Sequence, residues 1–270
     1  MPDIFGKFGI GQASREYSFY DTSLHECIEN AFQALALDEQ RAPFSPALWE
    51  KPRGSKTNLK QVWFPGVHSN VGGGYDDAEL ANITLAWMVS RLEPFLDFRP
   101  DYLINLYQQN RQYYRVDGQR PRWWSFGEIF NSFTGVYTLA GKRIRTPGNY
   151  FRTDPFTGKT TTKRLKNTNE YIHASVRSRV GLSGPGVSDR GRYDCRALGD
   201  WVFEPDSPGD GRKEPIIVWK KLSDRNGGQM IIPEAALLTT EHRLLEMSPK
   251  VEDYLYEMNE PARHGSHRRR

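Results

Sequence analysis

Leu24, Cys27, Ile28, Ala31, Phe32 and Leu35 recur at intervals of three and four residues, with Glu29, Asn30 and Gln33 falling between them. This rhythm lays one apolar stripe along a helix, and the spacing predicts a helix over residues 22–39. Asp21 or Ser23 opens it, and Ser23 and Glu26 have the spacing of a capping box. Pro43, Pro46 and Pro52 interrupt the pattern, after which residues 60–64 read as a short strand closed by Pro65 and Gly66. A second helix is predicted from Leu80, Ile83, Ala86, Trp87 and Val89, stopped by Pro94. Both helices are expected to pack beside strand 60–64. Helix, strand, loop, helix is the order of a sheet covered by helices, so the fold class is α/β. Only one clear core strand is visible this way, and a chain with so little sheet is expected to be poorly stable by itself.

Past Pro94 the pattern loses its period. Aromatics are dense from Tyr102 to Tyr150, with Gly, Pro and Arg scattered among them. Trp123, Trp124, Phe126, Ile129, Phe130 and Phe133 suit core packing, or else an apolar patch that meets lipid. Arg120 and Arg122 beside Trp123 and Trp124 pair cations with aromatics, as phosphate grip and base stacking require. No nucleic-acid-binding motif accompanies them, and no nucleic acid is expected as a partner. Residues 204–215 are rich in Pro, Gly and Asp and read as a linker; 216–221 and 229–232 then read as strands joined around Asn226-Gly227-Gly228. A helix follows near 241–247. The expected organisation is a fold portion at 1–94, an accessory aromatic-rich region at 95–203, the linker, a small hairpin and helix at 216–263, and a disordered basic tail at 264–270.

Composition changes this picture little. The 270 residues are 37% hydrophobic, enough for a real core, and the formal net charge of +4 is concentrated in Arg268, Arg269 and Arg270. Leu80–Val89, among the longest apolar runs, is far short of the roughly 20 residues a bilayer span requires. The start, MPDIFGKFGIG, lacks the charged and apolar regions of a secretory leader, so a cytoplasmic location is expected. Cys27 and Cys195 form no CxxC pair, and neither a metal nor another cofactor is expected.

The candidate chemistry lies between strand and second helix, in VWFPGVHSNVGGGYDD, residues 62–77. His68 follows the carboxyl end of the strand, where α/β folds place their sites. Gly72, Gly73 and Gly74 permit a tight turn and a close backbone approach. A phosphate loop is poorly supported, since neither GxGxxG nor GxxxxGK[ST] is present. A metal site from His68, Asp76 and Asp77 has no recognised ligand spacing. A triad base is the third reading, and a hydrogen-bonded surface histidine the plainest. Spacing alone does not choose among them.

ENAFQALALDEQRAPFSPALW (29–49) and QVWFPGVHSNVGGGY (61–75) resemble an uncharacterized alpha/beta hydrolase domain family that includes the type VI secretion phospholipase effectors of the first Tle class and many fungal proteins. EYIHASVRSRV (170–180) is similar to a further family segment. The resemblance implies the last strand and flanking helices of an α/β-hydrolase sheet, an irregular aromatic-rich C-terminal region, and a serine-hydrolase activity on lipid or ester substrates, with possible contact to a membrane surface. It assigns His68 the role of catalytic histidine, and makes His173 a rival whose apolar surroundings favour a structural role. Asn70 stands where many members carry aspartate.

The family's GxSxG elbow and its Asp-Thr-Val segment are both missing from the 270 residues. Gly181-Leu182-Ser183-Gly184-Pro185 is the nearest imitation of the elbow, but proline replaces the last glycine and the segment follows the histidine. It is expected to be a turn. Asp3 lies near where the acid segment would end, while Asp21, Asp38, Asp76 and Asp77 suit a cap, a helix end and a loop. Loss of the serine alone costs on the order of a million-fold in turnover. The expectation is therefore the carboxyl-terminal portion of a phospholipase-like hydrolase, truncated and inactive by itself, or else a noncatalytic binding module derived from that fold.

Overall fold

The computed structural model describes residues 23–99, 101–116, 118–154, 159–206, 216–222 and 229–257. The chain forms two compact units. The smaller takes residues 23–31 together with Ala47–Leu59 and Asn149–Asn169, and the larger takes Phe32–Pro46, Lys60–Gly148 and the described residues from Glu170 onward.

The first segment corrects the sequence reading, because residues 23–39 are not a helix. Ser23 forms an isolated bridge with Glu50, residues 26–27 turn, and strand β1 runs from Asn30–Ala36. The apolar residues counted as a helical stripe also satisfy period 2 where it matters, since Ala31, Leu35 and Leu37 are buried at odd positions. Residues such as Ala, Gln and Leu leave the local choice open, and pairing with the next strand decides it. Leu37 N–H donates to the Phe64 carbonyl and Asp38 N–H to that of Gly66, advancing together as in a parallel pair.

Strand β2 (Asn58–Phe64) is where the sequence placed it, and Val62, Trp63 and Phe64 are fully buried. Helix α1 (His68–Gly72) follows at once, and α2 (Glu79–Leu92) matches the second predicted helix. Helix α3 spans Tyr102–Val116. Strands β3 (Phe151–Thr153) and β4 (Thr160–Arg164) form a small antiparallel ladder in the smaller unit. Next come β5 (Glu170–His173), α4 (Ala174–Gly181), β6 (Trp201–Asp206), β7 (Ile216–Leu222) and β8 (Gln229–Ala235). Helices α5 (Thr239–Leu245) and α6 (Pro249–Glu257) close the described chain.

The main sheet has the order β1-β2-β5-β8-β7-β6. Strands β2, β5 and β8 run parallel, with Val62 opposite Tyr171 and Ile172 opposite Glu234, whereas β8, β7 and β6 alternate in direction. A mixed sheet with helices packed on it is an α/β architecture. The strand at 60–64 and the two read at 216–232 are three of the six, so the premise that the chain has little sheet of its own does not hold. Parallel pairing is the reason: β5 meets β2 only after a crossover of more than a hundred residues, which no local pattern reveals.

The hairpin read at 216–232 is present as β7 and β8, while its Asn226-Gly227-Gly228 turn lies outside the described residues. Of the proposed linker, Glu204, Pro205 and Asp206 belong to β6 and the rest lies outside the described residues, as does the basic tail. In the aromatic region Trp124 and Ile129 are fully buried and belong to the core, whereas Trp123 is exposed with the Lys250 ammonium 5.0 Å from its ring centroid. Among the described residues no helix is long and apolar enough to cross a membrane.

Candidate active site

Two adjacent parallel strands, β1 and β2, deliver their carboxyl ends to one place. Gly66 carries the turn out of β2 with φ +105°. Its N–H donates to Asp38 Oδ2 at 2.6 Å, tying the ends of the two strands together. A Cβ at Gly66 would lie 2.5 Å from Asn70 Cβ, on top of the backbone strain. Gly66→Ala is accordingly expected to cost about 2–3 kcal/mol and to displace α1. A urea-unfolding midpoint equal to wild type would refute it.

Within α1, buried Asn70 is the anchor. Its Oδ1 accepts the Val67 N–H at 3.2 Å and its Nδ2 donates to the Glu128 carbonyl at 2.8 Å. An aspartate has no such donor, so asparagine here holds the 128–130 segment over the helix. Gly73 and Gly74 have φ of +89° and +117°, and no atom would crowd a Cβ on either. Gly73 and Gly74 therefore serve backbone conformation, while Gly72, inside α1, has neither a positive φ nor a close neighbour.

His68 is the first residue of α1 and is exposed. Its backbone N–H donates to Glu39 Oε2 at 3.2 Å. Its ring meets Phe44 edge-on, with centroids 5.1 Å apart. Phe44 in turn packs edge-on against Tyr137, and the Arg41 guanidinium lies 3.7 Å from the Phe44 centroid and 4.8 Å from that of Tyr137. Glu39 organises this stack. It accepts from Arg41 Nε at 2.9 Å and Nη2 at 2.7 Å, from the Arg41 N–H at 2.8 Å and from Ser132 Oγ at 3.3 Å. Burial pushes the Glu39 pKa up, but the Arg41 side chain and the Arg41 and His68 N–H groups overcome it, leaving the carboxyl below its ordinary value. Neighbouring Asp38 goes the other way. Burial raises its pKa against the opposing donors, the Gly66 N–H and the Tyr193 hydroxyl at 2.9 Å. Glu39 is thus a fixed anion and Asp38 a buried carboxyl, one residue apart.

Among the described residues, neither imidazole nitrogen of His68 has a hydrogen-bond partner. Asp77 does not join it. Its carboxylate accepts from the Tyr114 hydroxyl at 2.6 Å and from the Glu128 N–H at 2.7 Å. No group of three His, Cys, Asp or Glu side chains among the described residues is arranged to hold a metal ion. Ser183 has φ +54° in the turn after α4. Asp3 and Asp21 lie outside the described residues.

His173 makes a different constellation. It caps α4, with Nδ1 accepting the Ser175 N–H at 3.2 Å and 2.7 Å from Ser175 Oγ. Because Nδ1 accepts, Nε2 carries the proton and donates to Glu241 Oε1 at 2.8 Å. Serine, histidine and glutamate are therefore linked, but His173 and Ser175 are wholly buried and Glu241 nearly so. The arrangement joins β5 to the start of α5, where Glu241 Oε2 also accepts the Leu238 N–H at 3.0 Å. All three side chains are closed off from solvent.

Sequence reasoning missed Glu39, Arg41, Phe44, Ser132 and Tyr137 around His68. The first three stand in LDEQRAPF, inside the segment that carried the family resemblance, so that segment held a signal. Ser132 and Tyr137 arrive from the aromatic region and had none.

A family model described as the catalytic domain of the Tle1-like phospholipase effectors of the type VI secretion system (T6SS) matches residues 3–91. Over this third of the chain, which contains both strand ends, Glu39 and His68, the protein is similar to that phospholipase domain. No curated protein and no solved structure gives a significant match.

Proposed function

We propose that residues 30–92 carry the histidine-bearing portion of a phospholipase-like ester hydrolase, and that His68 is its general base. The observation that supports this most is the presentation of His68. An exposed imidazole stands at the carboxyl end of a buried parallel strand, its backbone pinned by Glu39 and its ring braced by Phe44. A triad base needs this placement, fixed in direction and open to an incoming hydroxyl. A lipid substrate suits the surroundings, because Val136 (61% exposed) and Leu139 (78%) flank Tyr137 on the accessible side. Apolar side chains beside the base favour acyl chains or a membrane surface over a polar ester.

No GxSxG segment occurs in the 270 residues, so the chain by itself has no elbow serine for His68 to activate. The purified chain is expected to leave p-nitrophenyl esters and phospholipid vesicles uncleaved above background, and a fluorophosphonate probe is expected not to label it. Turnover abolished by His68→Ala would show a nucleophile within the chain and overturn the inactivity. When a GxSxG-bearing segment of a Tle1-like phospholipase is joined ahead of residue 1, hydrolysis is expected to appear. His68→Ala should then remove it by roughly 10⁴-fold or more.

A further inference from the structure

A cavity of about 410 Å³ lies at the β6–β7 end of the sheet and is lined by Tyr193, Asp194, Cys195, Trp201, Phe203 and Trp219 among others. Its volume is within the range of about 300–1,000 Å³ usual for small-molecule sites. The strand register builds it. Phe203 pairs directly with Trp219 across the antiparallel β6–β7 ladder, and Trp201, two residues along β6, shares their face. The Phe203 and Trp219 rings are 5.0 Å apart and tilted by 52°, a corner rather than a stack. Trp201 and Trp219 are buried, and Phe203 is half-buried.

The lining of this corner carries charge of one sign. No Lys, Arg or His lines the cavity, and exposed Asp194 is its single carboxylate. The Cys195 thiol is pushed up by burial and stays neutral, as does the Tyr193 hydroxyl, which donates to Asp38. Lys221, opposite Trp201 in the β6–β7 ladder, has its ammonium held by Asp200 at 2.9 Å, and exposed Arg192 and Arg196 stand two residues either side of Asp194. Arg179, 5.2 Å from the Tyr193 centroid, is wholly buried and its donors are occupied by the carbonyls of Ser125, Gly127 and Pro185. Trp219 Nε1–H is sealed from solvent without an acceptor among the described residues, so it offers the cavity no donor. Aromatic faces at a corner and a carboxylate, with no cation in the lining, form the chemistry that holds a methylated ammonium, whose spread charge is attracted to ring quadrupoles and cheaply desolvated.

We propose that this aromatic corner binds a trimethylammonium group, as in choline. The group is supplied either by the headgroup of a choline phospholipid or by a free choline-like amine. The site is independent of ester hydrolysis and stands whether or not His68 acts as a base.

Titration of the full chain with choline chloride, followed by the indole N–H resonances, tests this. Saturable binding is expected, whereas 3,3-dimethylbutan-1-ol, the uncharged isostere, should bind roughly tenfold more weakly. Phe203→Leu and Asp194→Asn are each expected to weaken choline binding about fivefold. Should Phe203→Leu fail to fold, Asp194→Asn decides, since that side chain is exposed. The proposal is overturned if choline does not bind at tens of millimolar, if the isostere binds equally well, or if Asp194→Asn binds as wild type does. Phosphatidylcholine and phosphatidylglycerol vesicles separate the sources. Cosedimentation with phosphatidylcholine alone, reduced by Asp194→Asn, identifies the lipid headgroup, and choline binding without cosedimentation identifies the free amine.

Discussion

Replacing Arg179 by methionine is expected to destabilise the protein by about 4 kcal/mol, the largest loss for any single side chain considered. The guanidinium is wholly buried and donates to three backbone carbonyls: Nη1 to Ser125 at 2.6 Å and Gly127 at 2.7 Å, and Nη2 to Pro185 at 2.6 Å. Burial lowers its pKa only to about 10, so it remains a cation at neutral pH. Methionine fills much of the volume but leaves three carbonyls with no donor, at about 1–3 kcal/mol each. Relief from burying a charge offsets part of that sum. Arg179→Lys is expected to recover only a fraction, since one ammonium does not reproduce the planar fork that reaches two loops at once. Urea unfolding of the three proteins checks the order, and a methionine variant within about 1 kcal/mol of wild type would refute the account.

Glu79→Gln is expected to stabilise the protein above pH 7 and to remove most of a downward slope of stability between pH 5 and 8. Glu79 is fully buried at the start of α2, and burial, then the Asp77 charge, raises its pKa from 4.5 to about 8. Its nearest relief is weak: Asn110 Nδ2 at 3.4 Å, and the more distant charges of Arg111 and Arg122. A carboxyl whose folded pKa lies above its unfolded value holds its proton more tightly when folded. Its contribution is therefore fully present below about pH 4.5 and is lost as pH rises through about 8. The loss is at most about 1.4 kcal/mol per pH unit. Asp38, also raised, adds a slope of the same sign, whereas the lowered Glu39 acts below the ordinary carboxylate range and leaves this window alone. Glutamine mimics the protonated acid and carries no charge to desolvate. Thermal melts from pH 5 to 8 should fall for wild type and stay nearly level for Glu79→Gln. A wild-type profile that is flat or rising would exclude the mechanism.

Some of this protein was legible in the chain before any coordinates. Strand β2, the turn at Pro65 and Gly66, the position of His68 and helix α2 are all local in origin. Three contiguous apolar residues, a proline-glycine stop and a run with helical spacing state their structure within about thirty residues, and neighbours along the chain enforce it. The likeness to a phospholipase family rested in part on the same stretch and in part on residues 29–49 and 170–180. The rest is decided by residues far apart in sequence. Segment 30–36 has a composition that suits either helix or strand, and becomes β1 because β2 offers it a parallel partner. Glu39 meets Ser132 from the aromatic region, His173 meets Glu241 68 positions away, and Asp38 meets Tyr193 155 positions away. The aromatic corner exists only once β6 and β7 are in register. Periodicity reports which face of an element is apolar, and tertiary packing alone determines what that face meets, because burial rewards any apolar partner and only hydrogen-bond and charge matching selects one.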